Sequence, residues 1–199
     1  MGGKEDEPTT GAKRATGAGD GAIRAGDIAE IGVAVALALV LQFVKVLKMP
    51  QGGSVSLEMV PTLYLALRRG PKAGVIGGAL LGFGKLLVEP YIIHPVQLIM
   101  DYPLPFAAIG LAGFFRKRPL VGTALGSIAR FLIHFLSGVI FFASYAPEGQ
   151  SPVVYSAVYN ASYIIPELII SAIVIEALMR SGRLFGGRKG AGGRVQPGI

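Results

Sequence analysis

The chain has 199 residues and no cysteine; 52% of its residues are hydrophobic, 16% are charged, and the net charge is +7. This length corresponds to one domain, and so small a charged share is too low for the surface of a soluble domain, which indicates an integral membrane protein. The missing cysteines exclude disulfides and thiolate metal sites, and two histidines argue against a multi-histidine metal centre, so we predict no metal and no cofactor. The positive charges lie at the ends of apolar segments, which argues against a nucleic-acid partner.

Both ends of the chain are predicted to be tails outside the membrane. Residues 1–27 are rich in glycine, alanine, threonine and charge and have no hydrophobic periodicity, so we predict a disordered cytoplasmic tail. This tail does not resemble a signal peptide, because no apolar core follows a short basic start. Residues 180–199 are basic and glycine-rich and are predicted to be a second cytoplasmic tail. The membrane domain is therefore predicted to comprise residues 28–179.

Six apolar segments in this domain predict an all-α bundle of six transmembrane helices, since about 20 residues span about 30 Å of hydrocarbon. The second segment is short, so we expect it to be tilted or to lie partly under a loop. Basic clusters precede the first segment and follow the second, fourth and sixth, while the loops after the third and fifth contain no lysine or arginine. By the positive-inside rule both termini are predicted to be cytoplasmic, although Lys45 and Lys48 flank the loop after the first segment. The segments are residues 28–47, 57–67, 73–88, 95–115, 121–142 and 153–179.

Small residues recur at four-residue spacing on two of these helices. In the third segment, Gly74, Gly78 and Gly82 predict a smooth face for tight helix packing. In the first segment, Ala34 and Ala38 have the same spacing. Two interpretations of that pair remain open, namely packing within the chain and a docking face for a different membrane subunit.

Tyrosines and polar groups concentrate in the outer half of the predicted topology, above all in residues 134–160. An interfacial aromatic belt collects tyrosine at both faces of a membrane, whereas this set lies on one side and is mixed with carboxylates. Its distribution therefore favours a binding site that opens to the outside. The set comprises Tyr91, Tyr102, Tyr145, Tyr155, Tyr159, Tyr163, Glu89, Asp101, His134, Glu148 and Asn160.

Asp101 is the leading candidate, because an ionisable residue more than a turn inside a membrane segment is costly and by default functional. The structural alternative is an ion pair with Lys85 or Arg130, which does not exclude ligand contact. His134 is either a satisfied core histidine or a ligand-binding one, and Lys85 and Glu89 have the spacing of a helical ion pair. Aromatic faces attract flat rings and cations, so we expect a small, flat, partly cationic ligand.

Several stretches of the chain resemble a known family. They are SYAPEG at residues 144–149, YSAVYN at 155–160, LYLALRRG at 63–70 and YIIHPVQLIMDY at 91–102. With these motifs, residues 28–178 resemble the thiamine-specific substrate-binding (S) component of energy-coupling factor (ECF) transporters. The resemblance implies a six-helix bundle in the cell membrane that binds thiamine near the outer face and is not an enzyme. It also implies two kinds of partner, a transmembrane coupling (T) protein and two cytoplasmic ATPases.

The resemblance also implies site residues. Asp101 matches a family glutamate that binds the aminopyrimidine ring, Tyr102 follows it as in the family, and Phe142 stands where the family has a stacking tryptophan. On the first helix, Ala34 and Ala38 match the motif that docks on the coupling protein. The chain differs from the family in the shorter aspartate, in having no tryptophan, and in lacking an aromatic residue in the first loop. Further matches, to residues that contact the ring and hydroxyl end, are Tyr91, His134, Tyr155 and Asn160.

Three other functions are weighed against this one. The nearest is the same scaffold with a thiamine precursor or another vitamin as its ligand. A small intramembrane enzyme would use Asp101 and His134 as acid and base, but no catalytic motif surrounds either residue. A standalone secondary transporter is a weaker alternative, because the six segments show no evident inverted repeat. For the favoured function, we expect Asp101→Ala to abolish binding and leave the protein folded.

Overall fold

The computed structural model describes residues 25–50 and 53–186. The predicted tails at residues 1–27 and 180–199 lie mostly outside this range, although the first helix already begins at Ala25 and the last extends to Gly186. All six predicted segments are helical. The helices are α1 (Ala25–Leu41), α2 (Met59–Arg69), α3 (Pro71–Val88), α4 (Pro95–Asp101), α5 (Pro103–Ile109), α6 (Pro119–Phe141) and α7 (Pro152–Gly186), and the strands are β1 (Lys45–Lys48) and β2 (Ser54–Ser56).

Four of the described helical stretches are long and apolar enough to cross a membrane, namely Pro71–Val88, Pro95–Phe115, Pro119–Phe141 and Pro152–Ser181. By contrast, α1 has 17 residues and α2 has 11. Large hydrophobic side chains project outward from the long helices, such as Leu80, Ile128, Leu136, Ile169 and Ile173. An exposed apolar surface of this extent fits a lipid environment. The chain is thus a predominantly helical, multi-pass membrane protein.

The first helix is shorter than predicted. It ends at Leu41, and residues 45–48 form β1, which pairs antiparallel with β2 so that Lys48 lies opposite Ser54. An apolar run cannot by itself distinguish a helix end from a strand, and the β-branched Val44 and Val46 favour the strand. Gly53 has a φ of 75°, which allows the chain to reverse before β2. The loop predicted at residues 49–54 therefore connects a β-hairpin.

The fourth predicted helix is broken in the middle. Its first part, α4, ends at Asp101, and α5 starts at Pro103 and continues into a 3₁₀ helix at Gly110–Phe115. Pro103 has no N–H to donate and disfavours helical geometry at the preceding residue, and Tyr102 has φ −116° and ψ −84°. Asp101 consequently lies at a helix end beside the break, and the prediction that it lies inside a continuous helix was wrong.

The glycine face of α3 packs directly on this broken helix, as predicted from its spacing. A Cβ atom on Gly78 would overlap the carbonyl oxygen of Phe106, and one on Gly82 would overlap the carbonyl oxygen of Tyr102. Only a residue without a side chain allows the two backbones to approach so closely. The α3 glycines thereby fix the position of the break and of Asp101 next to it.

Replacing Gly78 by alanine is expected to destabilise the fold by about 1–3 kcal/mol, because the added methyl group meets backbone that cannot rotate away. The matched control is Gly32→Ala on α1, where a Cβ would have no neighbour within 4 Å. This control is expected to be neutral or slightly stabilising, since alanine is the better helix former. Thermal unfolding of both variants in detergent measures the difference, and equal midpoints would contradict the close packing of α3.

Candidate ligand-binding site

A cavity of about 290 Å³ lies where the β-hairpin, the connection between α3 and α4, and the adjoining ends of α6 and α7 meet. We call it the polar cavity. Its volume is near the lower end of the range for small-molecule pockets. The structure brings all seven predicted binding residues together on its walls. They are Tyr91, Asp101, Tyr102, His134, Phe142, Tyr155 and Asn160.

Asp101 is held by two side chains in this cavity. Its Oδ2 accepts a hydrogen bond from Nε2 of Gln97 at 2.6 Å, and its Oδ1 lies 3.4 Å from Nδ1 of His134. The alternative of an ion pair with Lys85 or Arg130 was wrong: among the described residues, Asp101 forms no ion pair with any lysine or arginine. Gln97 was missed in the sequence, although its position one helical turn before Asp101 could have identified it.

Four charged side chains form a network below Asp101. Lys85 Nζ lies 2.5 Å from Glu58 Oε2, Arg130 Nη1 donates to Glu167 Oε2 at 2.7 Å, and Arg130 Nη2 lies 3.7 Å from Glu58 Oε1. The side chains of Glu58, Arg130 and Glu167 are at most 2% exposed. Such buried charges are tolerated when they are paired and hydrogen-bonded. Each cation here faces a carboxylate, so the network is close to electroneutral.

This network corrects the predicted pair between Lys85 and Glu89. Lys85 turns inward to Glu58, and Glu89 instead binds the lysines of the β-hairpin. Glu58, like Gln97, was missed in the sequence. Its signal was present, because it is an acidic residue just inside the start of the second apolar segment.

His134 connects the charged network to Asp101. Its Nε2 lies 3.4 Å from Nε of Arg130, and its ring contacts the rings of Phe106 and Tyr163 edge-on, each with a centroid distance of 6.4 Å. The side chain is 11% exposed. These contacts give the imidazole a defined orientation in the cavity wall.

Aromatic rings form one side of the cavity. Tyr91 and Phe142 are stacked with centroids 6.0 Å apart and an interplanar angle of 21°, and the hydroxyl groups of Tyr91 and Tyr145 are 2.7 Å apart. That hydrogen bond raises the pKa of Tyr91. Tyr102 donates from its hydroxyl to the carbonyl of Glu89 at 2.9 Å and accepts from the N–H of Tyr91 at 2.6 Å. Tyr102 thus holds the segment that carries the stacking ring.

The opposite wall comes from α7. Asn160 donates from Nδ2 to the Ser156 carbonyl at 2.9 Å and accepts from the Tyr163 hydroxyl at 2.7 Å, so both ends of its amide are fixed. Gly138 on α6 allows this close approach, since a Cβ there would overlap Ser156 Oγ. Tyr155 lies next to Tyr159, with ring centroids 5.9 Å apart. This wall offers aromatic edges and fixed dipoles to a ligand.

The β-hairpin is tied to the rest of the site by Glu89. Lys45 Nζ lies 2.5 Å from Glu89 Oε2, and Lys48 Nζ lies 3.4 Å from Oε1. The hydrogen bond from Lys45, with the charges of both lysines, holds the pKa of Glu89 below its usual value of 4.5. Because all three residues line the cavity, this contact connects the hairpin to its rim.

Acid is expected to release the hairpin. A lowered pKa means that the stabilisation by Glu89 is fully present above pH 4.5 and is lost as the pH falls through the lower pKa of the folded state. A spin label on Val46→Cys, a position that is 78% exposed in a chain without cysteine, reports hairpin mobility. Mobility should rise below about pH 4.5, and Glu89→Gln should make it high at every pH. A label equally immobile in both proteins would contradict the tie.

Ala34 and Ala38 of the first helix, which were predicted to dock on a partner, lie in different surroundings. Ala38 has 0% of its surface accessible and packs in the main core, which agrees with the intramolecular interpretation. Ala34 instead lines a second, largely apolar cavity of about 740 Å³ between α1, α2 and α7. We call this cavity the apolar groove. Val33, Leu37 and Leu41 of α1 also line it.

The fold and the polar cavity together define a polytopic helical membrane protein with a cavity of small-molecule size at one end of its bundle. The sequence profile of the thiamine transporter protein family matches residues 28–185, and the chain belongs to this family. The family resemblance predicted from the motifs is therefore confirmed.

Individual proteins with the name thiamine transporter are similar to this chain. The thiamine transporter ThiT of Bacillus subtilis (strain 168) is 40% identical over 73% of this chain and 86% of the relative. The protein of the same name from Lacticaseibacillus paracasei is 26% identical over 76% of this chain and 86% of the relative. The solved structure of ThiT from Listeria monocytogenes superposes with a TM-score of 0.73 at 28% identity, covering 79% of this chain and 95% of that one.

A further solved structure, described as the S component of a bacterial ECF transporter, shares the fold. It superposes with a TM-score of 0.59 at 20% identity and covers 82% of this chain and 98% of that one. The family is thus a transporter family and not an enzyme family.

Proposed function

We propose that this chain is the thiamine-binding S component of an ECF-type vitamin uptake transporter, energised by ATPases in a complex. The observation that carries the proposal is Asp101, a carboxylate in an aromatic-walled cavity, in a chain of the thiamine transporter family. The named thiamine transporters among its relatives support the ligand, and the S component that shares its fold supports the kind of complex.

The distribution of charge around Asp101 supports a cationic ligand. Lys85 and Arg130 are compensated by two buried carboxylates, whereas Asp101 has only neutral hydrogen-bond donors among the described residues. A buried charge without a counter-ion is costly. Thiamine is a monocation, and its aminopyrimidine offers N–H donors to a carboxylate. Binding would therefore supply both the missing positive charge and a hydrogen-bond partner for Asp101.

The remaining predicted residues receive roles from their positions. Phe142 and Tyr91 would stack against the rings of the ligand, and cation–π attraction favours the thiazolium there. Tyr155 and Asn160 would meet the ring edges and hydroxyl end from the opposite wall. We assign Tyr102 a holding role as well, since its hydroxyl is already engaged with the backbone of residues 89 and 91.

We propose further that all six helical segments cross the cell membrane, that both termini are cytoplasmic and that the cavity faces outward. Basic residues after the second and fourth segments support this topology, because Arg116 bonds the Leu67 carbonyl at 3.3 Å and so lies at the same end of the bundle as Arg68 and Arg69. Such clusters mark the cytoplasmic side. The shorter segments, α1 and α2, would cross beside the four long ones.

The partners would be a transmembrane coupling (T) protein and two ATP-binding cassette ATPases. The apolar groove around Ala34 supports a docking role, because its lining is mostly aliphatic and bounded by Glu30 and Arg68. The chain itself would need no cofactor and no metal, and it would have no catalytic role. The alternative is the same scaffold with a thiamine precursor or another vitamin as ligand, which the shorter Asp101 side chain favours.

Calorimetry in detergent tests the ligand. The purified protein is titrated with thiamine and then with its pyrimidine and thiazole halves. We expect nanomolar to low-micromolar dissociation for thiamine and weaker binding of each half, because each half satisfies only part of the cavity. Heat from a half but none from thiamine would keep the fold and change the ligand. No heat from any of the three would refute the proposal and return attention to an intramembrane enzyme using Asp101 and His134.

A further inference from the structure

Arg130 carries a feature that neither ion pairing nor ligand contact explains. Its guanidinium is 2% exposed and uses its Nη atoms for the carboxylates of Glu167 and Glu58. Its Nε–H is directed at Nε2 of His134 at 3.4 Å. The other ring nitrogen of His134 lies 3.4 Å from Asp101, the residue to which we assign the ligand. A continuous path of polar contacts therefore leads from the buried network to Asp101.

The chemistry of these groups fixes where the protons are. A guanidinium has five N–H donors and no acceptor, so the nitrogen that faces it must present a lone pair. Nε2 of His134 is thus unprotonated, the imidazole is neutral, and its proton is on Nδ1. This Nδ1–H then points at Oδ1 of Asp101, while Gln97 donates to Oδ2.

We propose that Arg130 is a positioning residue that fixes the Nδ1–H tautomer of His134 and through it orients the carboxylate of Asp101. In the opposite tautomer a lone pair of Nδ1 would face the anionic carboxylate, and the two would repel each other. The proposal deepens the proposed function, on which its binding readout rests.

The other neighbours of His134 leave this role to Arg130. Tyr163 on α7 approaches the ring edge-on, but its hydroxyl donates to Asn160 at 2.7 Å. Phe106 on α5 offers a ring without a hydrogen-bonding group. Lys85 of α3 is 2.5 Å from Glu58, and Glu58 and Glu167 are bound to the cations of the network. In the described part of the chain, Arg130 is the cation hydrogen-bonded to the imidazole.

The tautomer can be read directly by ¹⁵N NMR of histidine-labelled protein in detergent, without ligand. The chain has two histidines, so the spectrum is simple. His94 serves as the internal contrast, because its Nδ1 accepts the N–H of Val96 at 3.1 Å and its proton must be on Nε2. We expect opposite tautomers for the two rings, with His94→Asn assigning the signals. A proton on Nε2 of His134 would overturn the proposal.

Paired double variants separate positioning from general electrostatics. Arg130→Met/Glu167→Gln removes the ion pair between these two residues and the donor to His134, whereas Lys85→Met/Glu58→Gln removes the ion pair between those two and leaves that donor in place. Both variants also lose the 3.7 Å contact between Arg130 and Glu58. The first is expected to shift His134 to a mixture of tautomers and to weaken thiamine binding about 10-fold. The second is expected to leave the His134 spectrum unchanged.

A replacement variant covers the case in which the first double variant does not fold. Arg130→Leu/Glu167→Gln, which likewise leaves no donor to His134, replaces the first double variant if that protein does not fold, and the same spectral change is expected. An unchanged His134 spectrum in the variant that lacks the donor would overturn the proposal. Absence of thiamine binding by the unsubstituted protein would refute the proposed function, and the spectra would still decide the role of Arg130.

Discussion

Asp101→Asn is expected to weaken thiamine binding about 10- to 100-fold, which corresponds to about 1.5–3 kcal/mol for a hydrogen bond to a charged group. The amide keeps the size of the side chain but removes the charge that has no cationic partner among the described residues. Asp101→Ala is expected to abolish binding, since it also removes both acceptor oxygens. Calorimetry of each variant in detergent measures the loss.

Two controls make this result specific. Glu176→Gln removes a carboxylate of α7 that pairs with Arg180 away from the polar cavity, and it is expected to bind thiamine like the unsubstituted protein. Asp101→Glu is expected to bind at least as tightly as the unsubstituted protein, because the resemblance matches Asp101 to a glutamate that binds the aminopyrimidine ring. Unchanged affinity in Asp101→Ala, with the protein folded, would disprove the site.

The sequence predicted the helical segments and the glycine face of α3 because both depend on local pattern. Twenty-residue apolar runs have few alternatives in a membrane, and Gly78 repeats at the spacing of one helix face. Sequence also assigned the seven candidate binding residues to one site, since residues 91–102 and 134–160, which contain all seven, were predicted to lie in the same half of the bundle. The cavity they line supports that grouping.

What the sequence did not predict depends on partners distant along the chain. Lys85 has a helical neighbour at Glu89, but its carboxylate partner is Glu58, 27 residues earlier. Glu89 in turn binds Lys45 and Lys48 of the first strand of the β-hairpin, and hydropathy had assigned residues 45–47 of that strand to the first helix. Which partner each residue takes depends on how α2 packs against α3 and α6. The spacing of residues along the sequence does not give this packing.

Removing one member of the buried network is expected to have the largest effect on folding. Arg130→Met leaves Glu167 and Glu58 buried at 0% exposure beside an apolar side chain. Removing one partner of a buried ion pair costs about 3–5 kcal/mol, since the remaining charge is uncompensated. We expect a lower unfolding midpoint in detergent and a lower yield from the membrane.

Adding Glu167→Gln to Arg130→Met should restore most of this loss, because the main uncompensated charge is then removed together with its partner. Arg130 also packs over the ring of Phe106, with 4.7 Å between its Cζ and the ring centroid. Recovery of stability in the double variant would therefore show that the loss in Arg130→Met comes from an unpaired charge and not from lost packing. A double variant as unstable as Arg130→Met would assign the stability to that packing. A stable double variant with weakened thiamine binding would separate the two roles of Arg130, since the ion pair would then serve folding and the Nε–H would serve the site.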